Sequence, residues 1–296
     1  MTVEFEEYRP RLFGLAYRLT GSAHEAEDVV QDAFLRWDAT DREVIGAPGP
    51  WLAKVVTNLC LNRFTSARAR RERYVGPWLP EPVFTDGGAL NPSDTVEERE
   101  SVSLALLLLL ERLTPVERAV FVLREAFGYG HGEVAEVLGV SQAYSRQLQR
   151  RAHDRLGGAR RFRPGAAERR ELVERFFAAA RGGDLAALEG MLAADATWWT
   201  DGGGKVTAAR RPVSGAARVA RLLAGLFGKY GDLVDIAFAE VNGEQAVLGS
   251  IGDEVVGVLV FDVAGDRIAG LHAVANPDKL GHVREPLSRS APLPGS

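Results

Sequence analysis

Cysteine is almost absent from this chain of 296 residues. Cys60 stands alone, which excludes a disulfide framework and any Cys-based metal cluster. Long apolar runs are missing too: the longest, residues 102–110, is interrupted by Ser103 and is far too short to cross a bilayer. The first residues, Met1 to Glu7, are acidic and carry no apolar core, so no secretory signal is expected. Only four of the 36 cationic residues are lysine. With 46% hydrophobic and 26% charged residues, the composition is that of globular protein. These absences lead to the expectation of a cytoplasmic protein with no membrane attachment.

The net charge of −4, taken as an average, speaks against binding nucleic acid, but the charge is segregated. Residues 54–73 hold six cations (Lys54, Arg63, Arg68, Arg70, Arg71, Arg73) against Glu72, and residues 141–163 hold seven arginines against Asp154. Between them, residues 81–111 hold seven acids against Arg99. Two basic patches divided by an acidic connector suit two separate contacts with a polyanion. Each run alone is equally what a solvated helix end looks like. Arginine is the better fork for phosphates and guanine edges, although a GC-rich genome would produce the same bias.

Residues 5–73 carry helical periodicity. Leu12, Leu15, Ala16 and Leu19 recur at i, i+3, i+4 and i+7. Thr20-Gly21 ends that helix, and Ser22 to Glu25 has capping-box spacing for the next. There Ala26, Val29, Val30, Ala33, Phe34 and Trp37 form an apolar stripe opposite Glu25, Asp28, Gln31, Asp32 and Arg36. After a Pro/Gly break at 47–50, a third helix is expected to turn Trp51, Leu52, Val55, Val56, Leu59 and Cys60 inward. Lys54, Thr57, Asn58, Leu61 and Asn62 would then face outward.

Residues 74–95 read as a linker, stiffened by Pro77, Pro80 and Pro82. Trp78 and Leu79 beside Pro80 are unusual for a solvated linker and imply that it docks. Residues 96–163 are helical again. Thr114-Pro115-Val116-Glu117 is an N-terminal cap, and residues 132–156 read as helix, glycine turn at Gly139, and a helix capped by Ser141. A plain αα-hairpin has the same pattern. On the last helix Ser145, Leu148, Ala152 and Leu156 share one side, while Arg146, Gln147 and Arg150 point away and Gln142 lies near the start. Arg and Gln read guanine and adenine edges; Arg151 and Arg155 better suit phosphates.

Residues 165–285 change character. Helices at 168–181, 184–194 and 218–230 precede strand-like runs at 234–241, 245–251, 254–263 and 267–274, with hairpin turns at Asn242-Gly243 and Gly265-Asp266. This order predicts an α+β domain in which a curved sheet of antiparallel hairpins closes over helices. Residues 286–296 are expected to be a disordered tail.

At this point the pieces resemble the extracytoplasmic-function (ECF) sigma factors. Residues 1–73 are similar to sigma region 2, and residues 96–163 to the region 4 helix-turn-helix; region 3 is missing, as in that group. The run from Ala26 to Phe34 resembles the helix that binds the clamp of RNA polymerase, implying polymerase contacts at Glu27, Asp28, Gln31, Asp32 and Phe34. The run from Trp51 to Arg63 resembles the part that opens the minus-ten element, implying DNA contacts at Lys54, Asn58, Asn62, Arg63 and Arg68. Asn58 matches the family's base-capture position; extruding a base costs a few kcal/mol that a pocket must offset. Region 4 reads the minus-thirty-five element, here through Ser141, Gln142, Arg146, Gln147, Arg150 and Arg151. Ser145 departs from the apolar residue usual at its position, and its hydroxyl is expected to bond back to a carbonyl of its own helix.

Three further motifs are similar to the subgroup with a fused SnoaL-like domain. They are residues 74–82, Asp201-Gly202-Gly203-Gly204-Lys205, and Asn276-Pro277-Asp278-Lys279-Leu280. The resemblance implies a multidomain fold: two all-α sigma domains, a helical bundle and a helix-turn-helix, followed by a cone-shaped α+β SnoaL-like domain. It implies RNA polymerase core enzyme and promoter DNA as partners, no cofactor and no metal. The fused domain would modulate sigma activity in place of a separate anti-sigma protein.

SnoaL-like folds include enzymes that use Asp, Glu or His in a conical pocket. The candidates here are Asp201, Glu240, Asp253, Asp262 and His272, with Trp198 and Trp199 as pocket walls. No acid–base pair can be positioned from sequence, so no catalytic residue is assigned and the protein is read as a non-enzyme. The triple-glycine loop lacks P-loop spacing, yet such backbone can cradle an anion. A small-molecule ligand of the C-terminal domain and an intramolecular contact through residues 201–205 and 276–280 both stay open. Two alternatives also remain: a ligand-sensing DNA-binding regulator, and a bifunctional protein with a SnoaL-like enzymatic domain.

Overall fold

Residues Val3–Thr20 form helix α1, and its end is written locally. Thr20 Oγ1 bonds back to the Ala16 carbonyl at 2.9 Å, and Gly21 takes the left-handed conformation that stops a helix. Ser22 then caps α2 (Ala23–Ala39), its hydroxyl accepting the Glu25 N–H at 3.1 Å. Helix α3 runs Pro48–Glu72. The three helices pack together through fully buried Leu15, Leu19, Trp37 and Leu52, each aliphatic side chain contributing about 1.5–3 kcal/mol by leaving water. Cys60 belongs to this core, and burial pushes its thiol up to about 12, which makes it a packing residue rather than a nucleophile. One outward assignment is corrected. Thr57 is fully buried, because it completes an i, i+3, i+4, i+7 set with Ala53, Val56 and Cys60.

The structure, a computed structural model, describes residues 3–85, 102–157 and 166–284; within α3 the side chains of residues 65–70 and 72 are not among those described. The acidic connector 86–100, Arg160, Arg161, Arg163, and the tail expected at 286–296 therefore lie outside the described residues, as does the Arg68 side chain.

The second set of helices begins with α4 (Leu104–Leu110), whose Leu104, Leu107 and Leu110 are buried. Helix α5 (Pro115–Glu125) opens on a complete capping box between Thr114 and Glu117. Helix α6 (His131–Leu138) ends at Gly139 with φ 66°, and Ser141 caps α7 (Gln142–Leu156). Helices α1 to α7 form one compact unit, Met1–Arg73 with Thr85–Ala159.

The other unit joins Tyr74–Phe84 to the chain from Arg160 onward. Its elements are α8 (Ala166–Gly182), α9 (Leu185–Met191), β1 (Leu192–Asp201), β2 (Val213–Ser214), α10 (Ala216–Tyr230), β3 (Asp235–Val241), β4 (Glu244–Ile251), β5 (Glu254–Ala264) and β6 (Arg267–Val274). The sheet order is β2-β1-β6-β5-β4-β3. Helices α8, α9 and α10 bury their apolar sides against one face, where Phe176, Phe177, Phe227, Phe238 and Phe261 meet edge-to-face.

The sequence expectation for this sheet needs two corrections. Residues 192–194 begin a strand instead of finishing a helix, and the sheet is mixed, because β1 pairs parallel with β6. The alanines of Leu192-Ala-Ala-Asp-Ala favour helix, but pairing with β6 overrides that weak preference. The parallel pair fixes the later geometry. It brings the C-terminal ends of β1 and β6 to the same edge, with Asp201 opposite Val274.

Candidate functional site

Because β1 and β6 end side by side, residue 201 meets the segment that follows Val274. The Asp201 carbonyl accepts the N–H groups of Ala275 and Asn276 at 2.8 and 2.9 Å, which turns the chain into a 3-10 turn at Pro277–Lys279. The Asp201 side chain is fully buried, and four donors converge on it. Oδ1 accepts from Tyr74 Oη at 2.5 Å and from Gly203 N at 3.1 Å; Oδ2 accepts from Leu79 N at 2.8 Å and from Lys279 Nζ at 2.7 Å. Lys279, 7% exposed, also donates to the Leu79 carbonyl at 2.6 Å and lies over the rings of Tyr74 and Trp78, 4.8 and 4.2 Å from their centroids. Asn276 Nδ2 donates to Tyr74 Oη at 2.7 Å. Burial raises the Tyr74 phenol above its ordinary range and the bond to Asp201 adds to that, so it stays a donor.

A buried ion pair therefore holds both backbone groups of Leu79. Gly203 is required by this packing: its φ is 58°, and a Cβ there would stand 2.4 Å from Asn276 Nδ2. Lys205 closes the outside of the cluster on Asp278 at 2.5 Å. A second anchor lies nine residues beyond Tyr74. Buried Val83 exchanges bonds with Asn242, donating to its Oδ1 at 3.2 Å and accepting from its N–H at 2.9 Å. Phe84 forms an antiparallel bridge with Val241. Asn242 and Gly243 turn the β3–β4 hairpin with φ of 55° and 68°.

In the helical unit, α7 separates its two faces. Ser145, Leu148 and Ala152 are buried, whereas Gln142, Arg146, Gln147, Arg150 and Arg151 are exposed and Ser141 Oγ caps Tyr144 N at 3.1 Å. Ser145 is corrected: its hydroxyl bonds across to His131 Nδ1 on α6 at 3.0 Å instead of back along its own helix. Arg155 is corrected as well. It pairs with buried Glu117 at 2.5 Å, because α7 packs against the capped start of α5.

On α3, Lys54 and Asn62 are exposed and Asn58 is half-buried. Arg63 does not face outward alone; it pairs with Asp32 at 2.5 Å and with Asp28 at 3.6 Å on α2. The residues expected to serve DNA and polymerase separately are thus joined here by the packing of α2 on α3. Glu27 and Gln31 are exposed, while Phe34 is half-buried edge-on against Phe5 at 5.2 Å. Sequence reasoning missed Leu35, 57% exposed one turn beyond Gln31, although i+4 spacing carried the signal. It also missed a junction between the two helical regions. Glu111 sits between Arg71 and Arg118, and buried Arg118 donates to the Leu19 carbonyl at 2.8 Å. Arg71 donates to the Thr20 carbonyl as well, so it too is removed from the expected DNA face.

Comparison with known proteins places these features. Residues 5–70 match the model of Sigma-70 region 2, and residues 103–156 match that of Sigma-70 region 4. Over 291 residues the chain is 40% identical to the ECF RNA polymerase sigma factor SigJ of Mycobacterium tuberculosis, covering 94% of this chain and 92% of that one. The chain belongs to the ECF RNA polymerase sigma factors. The crystal structure of Mycobacterium tuberculosis SigJ superposes with a TM-score of 0.76 at 37% identity, covering 94% of this chain and 98% of that one. Probable sigma factor SigI of the same organism is 31% identical over 295 residues, 97% of each chain. This sigma factor is accordingly a promoter-specificity factor for transcription initiation, built from two all-α sigma domains and a C-terminal α+β domain.

The acids and histidine considered for catalysis in that domain are scattered. Asp201 is held by Tyr74, Leu79 and Lys279, Asp253 is exposed in the β4–β5 turn, and Glu240 and Asp262 lie half-buried on different strands. His272 is 4% exposed and stacks on Trp199 at 4.8 Å, on the opposite side of the sheet from Trp198 and Leu271, which belong to the phenylalanine core. Burial alone lowers its imidazole to about 4, so it stays neutral. The expected tryptophan pocket walls are thus core on one face and a stacked pair on the other. No group of three or more potential metal ligands is present among the described residues.

Proposed function

We propose that the fused domain of this sigma factor regulates initiation by gripping Tyr74–Phe84, the segment that joins region 2 to region 4 in the chain. The observation that carries this is the buried Lys279–Asp201 pair closed around Leu79. A segment held this way cannot take another path between the two DNA-binding regions, so holding and release define two states of the factor. The domain then does the work of a separate anti-sigma protein. Trp78, Leu79 and Pro80 are the gripped residues; the motifs Asp201-Gly202-Gly203-Gly204-Lys205 and Asn276-Pro277-Asp278-Lys279-Leu280 are the grip.

In the same reading, Ser141, Gln142, Arg146, Gln147, Arg150 and Arg151 contact the minus-thirty-five element, and Lys54, Asn58, Asn62 and Arg68 the minus-ten element. Glu27, Asp28, Gln31, Asp32 and Phe34 meet core polymerase in the cytoplasm, with Arg63 exchanging its carboxylates for DNA when the complex forms. The SnoaL-like domain is read as non-catalytic, since phenylalanines fill its core where a reaction cavity would have to open. Run-off transcription with core polymerase on a cognate promoter tests the whole. Full-length protein, Asp201→Asn, and a chain truncated after residue 165 should give different outputs. Equal output from all three removes the regulatory claim, and no specific initiation from any removes the promoter assignment.

A further inference from the structure

One cleft of about 370 Å³ lies beside the latch, the Asp201–Lys279 pair closed on Leu79. Val75 and Gly76 of the gripped segment form one wall; Thr200, Gly202 and residues 204–210 form the rest. Its size is that of a metabolite site, since small-ligand pockets run from about 300 to 1,000 Å³. Two cations line it, Lys205 and Arg210, and no carboxylate does. Lys205 shares its charge with Asp278 outside the lining. Arg210 is exposed and has no ion-pair partner among the described residues.

The loop is shaped by its own packing. Gly202 accepts from Lys205 N at 2.9 Å, and a Cβ on Gly202 would stand 2.7 Å from Ala208 Cβ, so the chain folds tightly on itself there. Gly203 and Gly204 follow with φ of 58° and 73°. Hydroxyls of Thr200 and Thr207 add polar groups, and Val75, Val206, Ala208 and Ala209 add apolar surface.

We infer that this cleft binds a small organic oxyanion, a phosphate monoester or a carboxylate, with Arg210 as its main counter-charge. A planar guanidinium without a carboxylate partner is suited to a bidentate oxyanion, and the apolar wall suits a short carbon skeleton. The regulatory consequence rests on the latch reading. Val75 and Gly76 complete the site only while the segment is gripped, so the oxyanion favours the gripped state by its binding free energy.

The test uses the full-length protein, isotope-labelled, at fixed ionic strength. Glycerol 3-phosphate and glycerate are titrated separately while the amide signals of Gly76, Gly202, Gly204 and Arg210 are followed, which distinguishes the phosphate from the carboxylate source. Saturable shifts with at least one of them are expected, weakened about tenfold or more in Arg210→Ala and unchanged in Arg181→Ala on α8. Val75→Glu, which places a carboxylate in the wall without touching the ion pair, should weaken binding similarly. Failure of both probes to saturate overturns the site, as does saturation that survives Arg210→Ala. Binding that survives Val75→Glu overturns the part played by the gripped segment. Failure of the latch reading shows elsewhere, as unchanged transcription in Asp201→Asn, while the wild-type titration still saturates.

Discussion

Replacing Asp201 by Asn keeps the side chain's shape and removes its charge from a site with no exposure at all. Lys279, 7% exposed, then loses the carboxylate at 2.7 Å and keeps the Leu79 carbonyl and two aromatic faces among its contacts. Breaking a buried pair by removing one partner costs about 3–5 kcal/mol, much of it the penalty of the orphaned charge. That figure is an upper bound on lost domain stability, because residues 74–84 can undock and let Lys279 reach water without unfolding the sheet. The loss should therefore appear mainly as release of the segment, read by proteolysis near Trp78 and by Trp78 fluorescence. Lys279→Met should release it too. The double variant Asp201→Asn with Lys279→Met removes both charges of the pair, so its loss should be smaller than the sum of the single losses, with a coupling of about 0.5–3 kcal/mol. Strictly additive losses in denaturant titrations of the four proteins would refute the account of a coupled pair.

Further outcomes are expected. Gly203→Ala forces a side chain into a left-handed position, costing about 1–2 kcal/mol before its clash with Asn276 is counted; it should release the gripped segment in the same proteolysis assay. His272 is neutral in the fold at about 4 against an ordinary 6.5, so the unfolded chain binds its proton first. Stability should be full above about pH 6.5 and fall by about 3 kcal/mol as pH drops toward 4; in His272→Phe that part of the fall should be missing from pH-dependent denaturation. Ser145→Ala removes the bond to His131 and should lower the helical unit's stability by about 1 kcal/mol in urea. Arg151→Ala should reduce the salt dependence of promoter binding by about one phosphate contact. Arg155→Ala should leave that slope unchanged and cost only about 0.5 kcal/mol of stability, since the arginine is 47% exposed.

Much of the helical unit is legible in the order of residues. Apolar spacing of 3.6 and the caps at Ser22, Thr114 and Ser141 act within one or two turns, where sequence distance equals spatial distance. The last four strands are legible for the same reason, through turns such as Asn242-Gly243. What is not legible is partnership at long range. A run of cations states charge but not its neutraliser, and so Arg63 and Arg155 read as free hands for DNA when each has a carboxylate facing it. Strand β1 hides behind its alanines because only β6, about 70 residues later, makes it a strand. The motif at 276–280 is visible by resemblance. That Asn276 and Asp201 both hold Tyr74, and that Lys279 reaches Leu79, follows only once β1 and β6 run parallel.

That geometry also explains why an ion pair, and not a patch of leucines, suits this position. Buried ion pairs are poor sources of net stability, and apolar side chains of similar volume often hold as well or better. Their strength is discrimination. Here the two charges take the N–H and the carbonyl of one residue, Leu79, so a slip of the segment by one position would leave both charges buried with the wrong backbone groups. An apolar contact would tolerate that slip and grade smoothly from tight to loose. The charged contact has two comfortable arrangements, gripped in one register or released with both groups in water. Residue-by-residue peeling is disfavoured as well, because the first donor to leave raises the cost of the others sharing the same carboxylate. Under the proposed function, a regulator that holds the 74–84 segment in one state or lets it go needs that kind of threshold, and the Asp201–Lys279 pair would supply it from two chain segments 78 residues apart.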